Sequence, residues 1–224
     1  MPESNTPPPG HVPASGDATS SASSDSLITQ LRRAFDAVDM LVTNIRPDQW
    51  SMPTPCTDWT VRRLVDHLVG MNLVFTALLK DQPPPQRREL SSNAENRDSD
   101  RDGDRDGDPV GAFRTSAAAL LAAFAAPGVL DRVYRGPLGS ATGADRLQIR
   151  LYDLLAHGWD LAHATGKPVD LPDDLAEPSL SFARTQLSEE ARPGRFAPAQ
   201  PANEHAPAID RLAAFLGRPV PPVP

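Results

Sequence analysis

Residues 151–166, LYDLLAHGWDLAHATG, constrain this chain more than any other stretch. Read as a helix, they are apolar on nearly every side, through Leu151, Leu154, Leu155, Ala156, Trp159, Leu161 and Ala162. A helix that is apolar all round is buried among other elements. Within it, Asp153 and His157 lie four residues apart, which stacks them on one face. A carboxylate and an imidazole so placed can hold one cation between them, as the paired histidines of metalloprotease helices do. The same spacing also suits a solvated or purely structural pair, and Asp153 projects away from the arc of Leu151, Leu155 and Ala162. The stretch points to a site, not yet to a reaction.

The remaining periodic segments supply partners for such a helix. From residue 25 or 26 to 45, Leu27, Leu31, Phe35, Val38, Leu41, Val42 and Ile45 recur at spacings of three and four. Asp25 or Ser26 is the expected N-cap, and Pro47 closes the segment. The proline-punctuated loop 46–59 carries Trp50, Met52 and Trp59, which are apolar enough to be expected to pack on a bundle. Thr57 or Asp58 is the expected cap of a second helix, 60–79, with Val61, Leu64, Val65, Leu68, Asn72 and Phe75 on its buried stripe and His67 at the border. A third, alanine-rich helix spans about 110–126 and ends at Pro127-Gly128. Residues 129–143 read as an extended crossover, and the helix of the opening stretch starts near Ala144. Shorter helices follow at about 173–187 and 206–216. Strand signals are weak throughout, so the expectation is all-α: a four-helix bundle with a long crossover connection, plus short C-terminal helices.

Composition separates this bundle from two other segments. Residues 1–24 are Pro, Ser, Gly and Thr with almost no large apolar side chains, the signature of a disordered tail. Residues 81–109 contain only Leu90 and Ala94 as apolar side chains and end in an Arg-Asp-Gly run, which reads as a solvated insert. Its acids do not make a calcium loop, because the closing glutamate is missing and arginines interrupt the series. A formal net charge of −7 argues against a general nucleic-acid binder. No stretch approaches the roughly 18 consecutive apolar residues of a membrane span. With a single cysteine, Cys56, and no export signal visible, the expected compartment is the cytoplasm.

Three blocks carry a family resemblance. TPCTDWTVRRLVDHLVGMN at 54–72, LLAHGWDLAHATGKP at 154–168 and RFAPAQPANEHAPAIDRLAAFLGRPV at 195–220 resemble, in order, those of actinobacterial metal-binding proteins related to mycothiol-dependent maleylpyruvate isomerase. These belong to the wider DinB/YfiT-like superfamily. The resemblance covers about residues 25–220 and implies a DinB-like helical bundle that holds a divalent metal. It implies His67, Asp153 and His157 as the ligands. The family's acid is more often glutamate; Asp153 is one methylene shorter, so the cation must lie closer to its backbone or be bound more weakly. Three protein ligands leave positions open for water or substrate, and the nitrogen-and-oxygen donor set suits zinc foremost, with nickel or iron also admitted.

What the resemblance further implies is an enzyme that uses a low-molecular-weight thiol, mycothiol, for thiol transfer to an electrophilic small molecule or for its isomerisation. The alternative is a non-catalytic metal-binding or stress-response module, told apart by the absence of a polar-lined cleft beside the metal. Arg62, Arg63 and Arg150 are the arginines available to such a cleft, and Arg62 and Arg63 equally suit a solvent face. Asp160, three residues after His157, can orient the ring nitrogen that the metal leaves free, or serve as a salt bridge or helix-end cap. His163 is off the His157 face, and His11 and His205 lie in a tail and a proline-rich loop. Cys56 reads as a buried structural thiol, and Trp59 and Trp159 as core anchors. A monomer or homodimer is expected.

Overall fold

The structure, a computed structural model, describes residues 16–56, 59–83, 85, 107–136, 139–188, 192 and 196–220. Helix α1 (Gly16–Thr43) buries Leu31, Phe35, Val38 and Val42 at the expected spacing. It starts at Gly16 rather than near residue 25. Once a packed segment has nucleated a helix, each further residue adds one hydrogen bond, so the helix extends beyond its buried stripe even through residues of modest propensity. The remainder of the expected tail, 1–15, lies outside the described residues.

Helix α2 (Val61–Leu79) buries the stripe read from the sequence, from Val61 to Phe75. Its N-cap is Thr60, whose hydroxyl accepts from the Arg63 N–H at 3.3 Å; Thr57 and Asp58 lie outside the described residues. In the loop before it, Trp50 and Trp59 pack against the core as expected, whereas Met52 is 38% exposed. The loop uses the Met52 carbonyl, which accepts from the Val61 N–H at 2.9 Å, and leaves the side chain at the surface. Helix α3 (Pro109–Phe124) is capped by Asp108, which accepts from the Gly111 N–H. Most of the 81–109 insert, residues 84 and 86–106, lies outside the described residues.

The expected extended crossover at 129–143 is instead a short antiparallel hairpin, β1 (Val133–Gly136) with β2 (Gly139–Thr142), in register Val133↔Thr142 to Gly136↔Gly139. Buried Arg146 donates to the carbonyls of Tyr134 and Gly139 and so ties the hairpin to the next helix.

That helix, α4 (Gly143–Thr165), is the centre of the molecule. Thr142 and Asp145 form a reciprocal cap at its start, and Gly166, in the left-handed region at φ 65°, ends it. Leu147, Leu151, Leu154, Leu155, Trp159 and Leu161 are all buried, each side chain contributing about 1.5–3 kcal/mol by its removal from water. Gly158 permits a close approach to α1 and to the segment after α4, since a Cβ there would come within 3.0 Å of the Val38 and Leu171 side chains. Helices α5 (Asp173–Gln186) and α6 (Ala208–Phe215) pack on α4 and on each other.

Around the bundle the order is α1, α3, α2, α4, so consecutive α1 and α2 face each other across the diagonal. His67 meets His157 while Asn72 meets Arg150, which makes α2 and α4 antiparallel. Phe35 lies under Arg150, Val38 against Gly158, and Gln49 donates to the Thr165 carbonyl, so α1 and α4 run the same way. Parallel neighbours require a crossover, and the long connection between α2 and α3 supplies one.

Candidate metal centre

The one polar strip of α4 turns toward α2, and it carries Asp153 and His157 to His67. Asp153 Oδ1 lies 3.4 Å from His157 Nε2 and 4.0 Å from His67 Nε2, and the two imidazole rings meet edge to face at 5.0 Å. One donor atom from each residue falls within 4.8 Å of the others. A tetrahedral ion with arms of roughly 2.0–2.1 Å separates its donors by about 3.3 Å. The Asp153–His157 edge has that length already, and the Asp153–His67 edge, at 4.0 Å, is within about 1 Å of it, a gap within reach of a side-chain rotation. All three residues named from the sequence are therefore brought together.

Each ligand has a support. Asp153 keeps Oδ1 for the imidazoles because its Oδ2 accepts from Arg150 Nη1. Arg150 is fully buried, and its other donors go to Asn72 Oδ1 at 3.0 and 2.8 Å and to the Leu68 carbonyl at 3.1 Å. Asn72 in turn donates to Ser116 on α3 at 3.0 Å, and Ser116 to the Phe113 carbonyl. A polar relay thus crosses the bundle from α3 to the candidate ligand. On the other side, His157 Nδ1 donates to Asp160 Oδ2 at 3.0 Å, which leaves Nε2 as the nitrogen available to a cation. Asp160, fully buried, also receives Arg218 through Nε and Nη2, the latter at 2.8 Å. Both sequence readings of Asp160, orienter and salt bridge, are met by the same carboxylate.

The electrostatics follow from these partners. Burial opposes the Asp153 charge, but His157, His67 and Arg150 outweigh it and hold the carboxyl well below the usual range. Burial likewise opposes Asp160, and His157 and Arg218 keep it low. Burial lowers His67 despite Asp153, which favours the neutral, ligating imidazole. For His157, burial is overcome by Asp153 and Asp160, and the ring is raised.

The three residues lie on one wall of a cleft of about 420 Å³ that is completed by the C-terminal segment through Leu187, Phe196, Leu216 and Arg218. Trp59, expected as a core anchor, forms part of the site: its ring lies 4.6 Å from His67 and stacks on His157 at 5.7 Å. Trp159 is the anchor, buried with its Nε1 donating to Asp210 at 2.7 Å. Cys56 is only partly buried and lines the cleft, with its sulfur near His157 and Asp160, a neighbourhood its sequence position gave no hint of. Burial pushes its thiol up to about 11. Of the arginines considered from the sequence, Arg150 reaches the cleft; Arg62 pairs with Asp66, and Arg63 lies over the Trp59 ring. His163 is exposed and packs on Trp159, His205 is exposed beside Glu204, and His11 lies outside the described residues.

Sequence reasoning missed Arg218 and the Asn72 link. Arg150 is among the arginines available to the cleft, and its pairing with Asp153 is signalled by their spacing of three on the same helix. Arg218 has no local signal, because it reaches Asp160 only when the chain folds back.

Comparison with known proteins bears on the same region. A sequence model of the mycothiol maleylpyruvate isomerase N-terminal domain matches residues 31–162, a span containing His67, Asp153 and His157. Two uncharacterized proteins of Mycobacterium tuberculosis, from strains CDC 1551 and H37Rv, are each 37% identical over 193 residues, covering 84% of this chain and 96% of the relative. No solved structure matches.

Proposed function

This chain belongs to the mycothiol maleylpyruvate isomerase N-terminal domain family, and from that premise we propose that it is a divalent-metal enzyme that joins a low-molecular-weight thiol to an electrophilic small molecule or isomerises it. The observation that carries this reading is the convergence of His67, Asp153 and His157 on one wall of a cleft large enough for a small molecule. A cation held there, zinc before nickel or iron, would supply the positive charge that ionises a thiol near neutral pH. Mycothiol is the thiol that the family's name indicates.

The chain's own residues prepare that chemistry. Arg150 keeps Asp153 ionised and aims Oδ1 at the imidazoles. Asp160 and Arg218 fix the His157 ring with Nε2 toward the site. Trp59 covers both imidazoles on one side and keeps water from that face. In metal-free protein burial raises the Cys56 thiol to about 11 and keeps it protonated at neutral pH, and this scheme assigns the nucleophile to the low-molecular-weight thiol. The cleft favours an enzyme over a non-catalytic binding module, which has no need of a cavity beside its metal. The reading places the protein in the cytoplasm; among the described residues no helix is long and apolar enough to cross a membrane.

The test is the rate of mycothiol consumption with monobromobimane as electrophile. Zinc-loaded protein should accelerate it, and chelated protein and the His67→Ala variant should not. Equal rates in all three overturn the enzyme reading.

A further inference from the structure

Among the described residues, both arginines that line the cleft are already committed. The Arg150 guanidinium is shared among Asn72, Asp153 and the Leu68 carbonyl, and that of Arg218 among Asp160 and the Leu216 carbonyl. Each has a buried carboxylate as its counter-charge, Asp153 for one and Asp160 for the other. Neither offers an open fork of the kind that grips a substrate carboxylate in two parallel hydrogen bonds. Away from the histidines, the described wall is mostly apolar, with Met71 and Phe75 from α2, Ile149 from α4, and Leu187, Phe196 and Leu216 from the C-terminal segment, and it also carries the uncharged phenol of Tyr152. Gln186 at the rim is polar but uncharged. A carboxylate placed against that wall would lose its hydration without gaining a cationic partner among the described residues, which is costly. An apolar ring placed there would gain the burial.

We propose that the cleft's second occupant, beside the thiol, is an uncharged and predominantly apolar ring compound rather than a dicarboxylate. The reaction this implies rests on the metal-and-thiol reading; the binding preference does not. The thiol's sulfur belongs at the His67, Asp153 and His157 end, and the ring lies between Ile149 on one helix and Phe196 on the returning C-terminal segment. Four of the lining residues just named, including Gln186, follow residue 162, where the match to the family's N-terminal domain stops. Part of the substrate wall is therefore supplied by the segment that the domain match does not include.

The test uses chelator-stripped full-length protein, so that no cation can attract an anion, and two small probes of opposite character. Nitrobenzene and maleate are titrated separately by saturation-transfer NMR. Nitrobenzene should bind at least tenfold tighter than maleate, and Phe196→Ala and Ile149→Ala should each weaken it at least threefold while circular dichroism stays unchanged. Maleate binding as tightly as nitrobenzene overturns the inference, as does nitrobenzene binding that neither variant alters. If nitrobenzene fails to bind while the protein still takes up zinc, this inference falls alone. If nitrobenzene binds as expected and zinc does not, the metal-and-thiol reading falls instead.

Discussion

Replacing Arg150 by Met keeps most of the side chain's length and removes only its charge and donors. The structure makes this a severe change, because the Arg150 side chain is fully buried and its partner Asp153 is 14% exposed. Breaking a buried ion pair by deleting one partner typically costs about 3–5 kcal/mol, since the survivor is left charged and dry. Asn72 Oδ1 also loses its donor, a further penalty of about 1 kcal/mol or more. Against these, Asp153 Oδ1 keeps the two imidazoles, which offsets the added penalty and leaves the total at about 3–5 kcal/mol. That is a large share of the roughly 5–15 kcal/mol by which a domain is stable. Urea unfolding followed by circular dichroism measures it, in stripped and in zinc-saturated protein. The loss should be smaller with zinc, because a cation on Oδ1 gives the orphaned carboxylate a new counter-charge. Adding Asp153→Asn to Arg150→Met should recover part of the loss in stripped protein, since the uncompensated charge is then gone. A cost under about 1 kcal/mol in stripped protein would refute the reasoning that Arg150 is what allows Asp153 to be buried as an anion.

The other expectations concern His157, Cys56 and the α1–α4 contact. Asp160→Asn removes the acceptor that fixes the His157 ring, and zinc affinity measured by competition with a chelating dye should fall about 10–100-fold. Cys56 moves from the ordinary thiol value of 9.0 up to about 11, so at pH 7.5 it holds about a hundredfold less thiolate than an unshifted thiol. Iodoacetamide labelling of stripped protein should be slow by that factor, should climb about tenfold per pH unit and should level off only near pH 11; rapid labelling at neutral pH would contradict the burial. Gly158→Val forces a branched side chain between Val38 and Leu171, and thermal unfolding should report a loss of about 1–3 kcal/mol or more.

Much of the bundle was legible because helix periodicity survives in a single sequence. The buried stripes of α1 and α2 are those that their three-and-four spacing marks, and α4 reads as a central helix because it has no polar side wide enough to face water. The Asp153–His157 pair was visible in their spacing, although the helical arc argued against it. In a helix buried on all sides the apolar arc does not pick out the direction of a site, so that argument had no force. His67 was legible only through the family resemblance, since nothing local links it to α4. The hairpin at 133–142 was not legible, because two strands of four residues are too short to show alternation. Trp59 packs against the core, as large apolar residues usually do, and its position in sequence carries no sign that the ring also covers the imidazoles. The Arg218–Asp160–His157 chain depends on where the C-terminal segment returns, and that is a property of the packed molecule.

The claim on which the rest stands is that His67, Asp153 and His157 bind a divalent cation. Elemental analysis of tag-free protein, with the His67→Ala and His157→Ala variants purified alongside and shown by circular dichroism to be folded, tests it directly. The account predicts about one equivalent of zinc, nickel or iron per chain in the parent and loss of that metal in both variants. A parent that takes up no metal after incubation with each ion, or variants that retain it in full, would contradict it.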